Sequence, residues 1–353
     1  MPGVPRLSLP QHVPPLPGRS FGAKLNAMTG RVDLTDLDLW ARDVPYPEFA
    51  RLRREAPVAW HDEAPPSSGF WSVLCYKDIV AASRDVGTFS SSRGISFEDP
   101  TDEDMIARRT IIDTDPPEHT KLRKIVSGSF SQRATAVYQH FVEQLTEHVL
   151  DTGLIDGELE FVDAIAKEVP IRVLARIMGL PEADLDTFID LGDRLIANTD
   201  PDVTDVVWGR DDTDAYRRFP FRSPYGKQLW ELGREIVAPS CAAPRPQTPH
   251  SAGPRSAPGT KVVLWYVSGN RDEAEFADPD VFDVGRAPNR HLSFGRGGPH
   301  LCLGAHLARL EVKVVLAALA QRVASFELAG PPRRIRSNFT NGLRELPVRV
   351  CLA

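Results

Sequence analysis

The sequence predicts a mostly helical α+β fold. Three long stretches, 137–150, 161–178 and 183–195, carry the apolar period of about 3.6 residues that is typical of amphipathic helices, and a fourth begins at Leu303. Strands are predicted from short runs rich in β-branched and aromatic residues, which start at Val58 and lie at 70–75, 261–267 and 333–352. The few, widely separated strands indicate small sheets beside a helical body.

The composition indicates where the ordered part of the chain begins. Residues 1–30 are rich in proline and predict a loosely ordered arm, so order is expected to begin near Asp33. A short helix is predicted at 47–56 and another from Lys77, on either side of the first two strands.

Length, charge and cysteine content exclude several classes of protein. The chain has 353 residues, a net charge of −6 and a sequence pI near 5.9, which gives no basic face for a nucleic acid. Its four cysteines are scattered without the spacing of a disulfide framework, which favours a reducing compartment. No apolar run approaches a membrane span and the N-terminus has no apolar leader, so we expect a soluble cytoplasmic protein without a membrane anchor.

The most informative stretch is 291–311, HLSFGRGGPHLCLGAHLARLE. Cys302 follows a loop with three glycines and precedes the helix whose apolar stripe is Leu307, Leu310, Val314 and Ala317. The flanking glycines, which let the backbone take positive φ angles and approach a flat ligand, are Gly295, Gly297, Gly298 and Gly304. The positive end of the helix dipole favours the thiolate form of a cysteine placed there, and a thiolate is a metal ligand.

Two other interpretations of Cys302 remain open on the residues alone. A single cysteine among glycines is often structural. His300, Cys302 and His306 could also contribute to a zinc site, although a structural zinc usually takes four ligands and the chain has no CxxC or HxxxH partner elsewhere.

A second motif lies at 113–131, DTDPPEHTKLRKIVSGSFS. Pro116, Pro117 and Glu118 are typical of a helix start. The buried stripe of this helix is predicted at Leu122, Ile125 and Val126. His119 and Arg123 lie four residues apart on one face, either to bind an anionic group or as neighbours on a solvated helix face.

The two motifs together resemble the cytochrome P450 family. Its heme-binding loop has a Phe, a Gly, a basic residue, the Cys and a Gly in fixed order, and these places are taken by Phe294, Gly297, His300, Cys302 and Gly304. Phe294 stands one residue further from the cysteine than in the commonest form, a spacing that also occurs in the family.

The resemblance implies roles for these residues. Cys302 would be the axial thiolate of a heme iron and the catalytic residue, with Phe294 packed near its sulfur. The heme propionates would be held by His119, Arg123 and His300. Gly297 and Gly304 would allow close approach of the porphyrin.

The resemblance also implies an activity and partners. The expected reaction is monooxygenation with heme b (iron protoporphyrin IX), in which one oxygen atom of O2 enters a C–H bond of a hydrophobic small molecule such as a terpenoid, a sterol side chain or a fatty acyl chain. The electrons would come from NAD(P)H through a ferredoxin and ferredoxin reductase or a similar donor. The absence of an N-terminal anchor points to the bacterial kind, since microsomal members usually have one.

The resemblance covers roughly 33–237 and 259–352, and the segment between departs from it. Residues 238–258 contain six prolines, five alanines and three serines and lack Val, Ile, Leu, Met and aromatic residues, which predicts a disordered loop. We therefore expect a single domain, 31–353, interrupted at 238–258.

Two features that the family usually has are absent or out of context. The long helix crossing the distal heme face, with its acidic-Thr motif, is not found in the sequence. A Glu-x-x-Arg pair occurs at Glu231 and Arg234, but no buried strand follows it as the family pattern requires. An internal deletion explains both, and it leaves two alternatives to an active enzyme, a truncated inactive remnant that binds or does not bind heme and a scaffold protein without heme.

An acidic run precedes this break. Its six aspartates are Asp200, Asp202, Asp205, Asp211, Asp212 and Asp214. The run lacks the Gly and closing Glu of a calcium loop, so it predicts a solvated loop, which by resemblance would cover the substrate entrance.

Overall fold

The computed structural model describes residues 32–63, 67, 69–237 and 259–353. The helices are α1 (Leu37–Arg42), α2 (Tyr46–Glu55), α3 (Tyr76–Arg84), α4 (Asp102–Arg108), α5 (Glu118–Ser127), α6 (Gln132–Val137), α7 (Gln139–Gly153), α8 (Glu168–Met178), α9 (Leu185–Ile196), α10 (Pro224–Val237), α11 (Tyr266–Gly269) and α12 (Ala305–Arg322). The strands are β1 (Val58–His61), β2 (Phe70–Val73), β3 (Gly157–Glu160), β4 (Lys261–Leu264), β5 (Val323–Leu328), β6 (Arg333–Arg334), β7 (Leu343–Glu345) and β8 (Pro347–Leu352). The predicted mainly helical α+β class is confirmed.

The first sheet joins the N-terminal region to the segment that leads to Cys302. β1 and β2 pair antiparallel, and β2 pairs in parallel with β4, so that Phe70 lies opposite Lys261. Beneath it, the indole rings of Trp40 and Trp265 stack with centroids 5.4 Å apart, and Phe49 packs against both. These aromatic side chains bury a large apolar area, which holds two parts of the chain together that are distant in sequence.

The second sheet and the helical body share another core. β8 lies between β3 and β5, and the apolar side chains of this sheet pack with α7, α8 and α12. From α12, Leu307, Ala318 and Leu319 enter this cluster. Since α12 is anchored along its length, the loop that precedes it is held at a defined place.

Two predicted strands differ in extent from the observed ones. The strand predicted at 261–267 ends at Leu264, because its partner β2 ends at Val73 and Trp265 turns into the aromatic core; α11 follows at once. At the C-terminus, β6 and β7 form the predicted hairpin, but β8 leaves it to pair with β3 and β5. The proline-rich arm at 1–30 and the predicted disordered loop at 238–258 lie outside the described residues.

The buried stripe predicted for α5 is wrong. Leu122 is 36% exposed and Ile125 78% exposed, whereas His119 is only 2% exposed. Ile125 is six residues from His119, about 240° around a helix, so burying one of these side chains turns the other to solvent.

The acidic run is only partly solvated. Asp200 is 4% exposed, and its carboxylate accepts a hydrogen bond from the backbone N–H of Arg336 at 3.1 Å. The guanidinium of Arg344 pairs with Asp202 at 3.0 Å and approaches Asp200 at 3.7 Å. These contacts attach the run to the C-terminal hairpin, which the sequence pattern did not indicate.

Across the part of the chain that the structure describes, no helix is long and apolar enough to cross a membrane. In the same ranges, no group of three or more His, Cys, Asp or Glu side chains is placed to hold a metal ion.

Candidate active site

Cys302 lies immediately before α12. The helix begins at Ala305 with Gly304 as its N-cap, and the backbone N–H of Cys302 donates to the carbonyl of Phe294 at 2.8 Å. That hydrogen bond closes a loop in which Gly295 and Gly297 have φ angles of +72° and +84°, the left-handed region that favours glycine. The Cys302 side chain at the end of this loop is exposed.

The glycines of the loop differ in what lies next to them. A Cβ on Gly298 would lie 1.9 Å from the carbonyl oxygen of Ser83, and one on Gly297 would lie 2.5 Å from Nε of Arg84. Gly298 therefore has to be glycine for the loop to pack on α3, because the atom that its Cβ would meet is backbone. The Arg84 side chain is flexible, and Gly297 favours glycine because of its positive φ. Next to Gly304, by contrast, nothing lies within 4 Å of the Cβ position, so the side of the loop nearest Cys302 is open.

His119 of α5 and His300 of the loop form a buried pair. Their ring centroids are 4.3 Å apart. Nδ1 of His119 and Nε2 of His300 are both buried and have no hydrogen-bond partner among the described residues. Burial lowers the pKa of both histidines, so the pair is kept neutral in the fold as described. Two buried orphan nitrogens side by side are uncommon and point to a polar group that completes them.

Arg123 of α5 contacts the cysteine loop, and Phe294 is part of that loop. The guanidinium of Arg123 donates to the carbonyl of Leu301, next to Cys302, at 2.5 Å. The ring of Phe294 is covered by the guanidinium of Arg309, 4.5 Å from its centroid, and lies 5.8 Å from the ring of His291. The structure thus brings both predicted motifs together, although they are about 180 residues apart in sequence.

The residues present fit a heme. The cysteine loop and α5, which contacts it, provide an exposed thiol, the open side of Gly304, two orphan imidazole nitrogens and Arg123. A large flat group with an iron at its centre and carboxylates at its edge would supply a partner for each of them.

The Glu-x-x-Arg pair does not reach this site. Glu231 pairs with Lys227 of the same helix at 3.5 Å, and the guanidinium of Arg234 lies 4.8 Å over the ring of Trp230. The pair therefore stays on α10, as two neighbouring contacts on one helix surface.

A cavity of about 50 Å³ with a largely aromatic lining lies outside all the motifs found in the sequence. Its apolar lining consists of Phe97, Ile196, Trp208, Phe221 and Phe339. Two of its lining residues are joined by a hydrogen bond, in which Thr340 Oγ1 donates to the carbonyl of Ile196 at 2.9 Å. The available signal was the presence of single large aromatic residues in polar loops, which periodicity does not detect.

Comparison with known proteins agrees with this geometry. The model of the family "Cytochrome P450" matches residues 257–351, the segment that contains Cys302. The steroid C26-monooxygenase of Rhodococcus jostii is 28% identical, with 90% of this chain and 84% of that protein covered. The linalool 8-monooxygenase of Pseudomonas putida is 29% identical, with 90% and 98% covered.

The fold is also that of solved structures. A cytochrome P450 of Mycobacterium marinum in complex with pseudoionone superposes with a TM-score of 0.76 at 26% identity, covering 90% of this chain and 97% of that one. A P450 involved in the biosynthesis of vancomycin-type antibiotics gives a TM-score of 0.67, also at 26% identity, with 91% and 100% covered. From the site, the family match, the relatives and the shared fold, we conclude that this chain belongs to the cytochrome P450 family and is a bacterial-type monooxygenase by family.

Proposed function

We propose that the chain is a heme-thiolate monooxygenase that inserts one oxygen atom of O2 into a C–H bond of a hydrophobic small molecule. The observation that carries this proposal is the exposed Cys302 beside the orphan nitrogens of His119 and His300. The relatives named above act, by their names, on a steroid and on linalool, and a third, from Mycobacterium tuberculosis, on methyl-branched lipids. All three substrate classes are largely hydrophobic.

The residues around Cys302 have separate tasks in this proposal. Heme supplies the iron centre at which O2 is activated when electrons arrive. Sγ of Cys302 would ligate that iron and donate electron density to it, while the propionates would receive hydrogen bonds from Arg123 and from the buried imidazoles of His119 and His300. The open space beside Gly304 would let the ring lie flat against the loop.

The electron donor is proposed to be a ferredoxin with its NAD(P)H-fed reductase. Exposed cations that form no ion pair among the described residues include a basic group on α5, α6, α12 and the cysteine loop, namely Lys121, Lys124, Arg133, Arg296 and Lys313; others lie on α3, α8 and α10. This basic group occurs in a chain whose net charge is −6. It would steer an acidic protein toward Cys302. The scattered cysteines favour the cytoplasm as the compartment.

A specific observation also favours the inactive remnant. The alignment with the linalool enzyme runs over 401 positions, more than the 353 residues of this chain, so that relative has residues inside the aligned span that this chain lacks. We propose that these include the distal helix and that the gap lies near 238–258. Such a loss would leave the iron accessible to water on its distal side.

One spectrum tests the proposal. The purified chain, supplied with heme, is reduced and exposed to carbon monoxide, and the difference spectrum is recorded. We expect the strongly red-shifted Soret band of a thiolate-ligated heme, its loss in Cys302→Ala, and its retention in Cys351→Ala, because Cys351 is another exposed cysteine and lies on β8. Turnover of linalool with a ferredoxin system then separates an active enzyme from a remnant that binds heme. Failure to bind heme would refute the proposal.

A further inference from the structure

The turn that precedes α10 has an unusual backbone. Phe221 and Arg222 have φ angles of +54° and +49°, although neither is glycine. A positive φ is rare for any residue with a Cβ and is a genuine outlier for a bulky one. Two such residues in succession persist only where surrounding contacts hold them.

Contacts on both residues hold this turn. The side-chain amide of Asn198 donates to the carbonyl of Phe221 at 3.2 Å. The guanidinium of Arg222 pairs with Asp214 and with Glu98, the latter at 3.4 Å. Glu98 is itself 9% exposed at its side chain and is shared with Arg108 at 2.7 Å. The strained conformation is thus stabilised from the loop before α4 and from the end of α9.

The strain places an aromatic ring in the cavity. The Phe221 ring lies 6.0 Å from that of Phe339, and both line the cavity with Phe97 and Trp208. The neighbouring Phe219 has an ordinary φ of −113° and its ring packs instead on Trp230, at 5.9 Å. Two phenylalanines of one turn therefore point to different surroundings, and only the strained one reaches the cavity.

We infer that Phe221 is a specificity-determining residue whose ring closes the aromatic cavity and limits the size of the apolar molecule that it admits. The inference rests on the proposed function in one respect, namely that this apolar molecule is the substrate. The cavity measures about 50 Å³, whereas pockets for drug-sized ligands measure about 300–1,000 Å³. A molecule with several rings can enter only if the Phe221 ring leaves, and a small flexible molecule needs less displacement.

Binding to the full chain, without any electron donor, tests this inference. The probes are linalool, which is small and flexible, and testosterone, which has four fused rings, and each dissociation constant is measured by calorimetry. Phe221→Ala removes the ring. Phe221→Asn removes it too and keeps the turn, because asparagine tolerates the left-handed conformation. Phe219→Ala is the matched control from the same turn.

We expect both Phe221 variants to change the ratio of the two affinities in favour of testosterone by about tenfold or more, because the pocket that receives the larger molecule becomes wider. Phe219→Ala should leave the ratio unchanged. An unchanged ratio in folded Phe221→Asn would overturn the inference. So would an equal change in Phe219→Ala, or a native chain that binds neither probe. Since no turnover is measured, a changed ratio in a chain that lacks the carbon-monoxide band would refute the proposed function alone.

Discussion

Glu311 allows a quantitative test of the packing around α12. Glu311 is 8% exposed, and the described residues provide neither a hydrogen bond nor an ion pair to its carboxylate. Leu307 and Val315, one turn away on either side, belong to the apolar core. Burial raises the pKa of Glu311 to about 7 from the ordinary value of 4.5.

This shift has a definite sign and size. Because the folded state holds the proton more tightly than the unfolded state, the stability that this group contributes is complete below pH 4.5 and is lost as the pH rises to about 7. At about 1.4 kcal/mol for each pH unit of the interval, the loss is about 3 kcal/mol, a large part of the roughly 5–15 kcal/mol of a whole domain.

Glu311→Gln removes the titration and keeps the shape of the side chain. Urea unfolding of the variant and of the native chain, followed by circular dichroism between pH 4.5 and 8.5 at equal heme content, measures the difference in free energy of unfolding. We expect the variant to gain about 3 kcal/mol relative to the native chain over this interval, with most of the gain complete by pH 7.

Glu143→Gln is the control, since Glu143 is exposed on the helical surface of α7, where its carboxylate accepts a hydrogen bond from the side-chain amide of Gln139 at 2.9 Å. Its effect on the free energy of unfolding should be much smaller than that of Glu311→Gln. If the difference in free energy of unfolding between Glu311→Gln and the native chain does not change with pH, the Glu311 carboxylate is solvated or paired in solution. The reasoning from its burial would then be refuted.

Three further predictions concern the cysteine loop. Gly298→Ala should destabilise the fold by about 3 kcal/mol or more, because its Cβ would collide with the backbone of Ser83. Gly304→Ala should change the stability of the heme-free chain by less than about 1 kcal/mol, because its Cβ would meet open space. Thermal unfolding of both heme-free variants checks this. With heme, Gly304→Ala should bind at least about tenfold more weakly in a heme titration if the open space receives the porphyrin, and equal affinity would contradict that role. His119→Phe should leave the heme-free fold intact and weaken heme binding by about tenfold, the value of a charge-assisted hydrogen bond, which heme transfer to apomyoglobin measures; unchanged transfer would mean that His119 does not contact a propionate.

Sequence patterns predicted most helices because each depends on its own apolar stripe. The helices α7 and α9 lie within a few residues of their predicted ranges, and Gly179 ends α8 in the left-handed conformation that favours glycine. Strand ends were less predictable. β4 ends at Leu264 because of where its distant partner β2 ends, a fact that no window of sequence contains.

The candidate site divides in the same way. Cys302 and its glycines could be found from local spacing, and so could the His119 and Arg123 pair, since each motif occupies one continuous stretch. That His119 meets His300 could only be expected from the family resemblance, because residue spacing contains no information about which face of α5 packs inward. The apolar residue pattern of α5 included Ile125, which is exposed, and did not indicate that His119 is buried.

By itself, therefore, the sequence determined the helical class, the thiol loop before α12 and the family to which they point, because these depend on short-range periodicity and backbone preference. Only the tertiary structure decided that His119 is buried, that Asp200 joins the C-terminal hairpin, that Glu311 is buried beside an apolar core and that Phe221 lines a cavity from a strained turn. Each of those features depends on which distant segments come together, and burial and strain are properties of that packing rather than of any single stretch of chain.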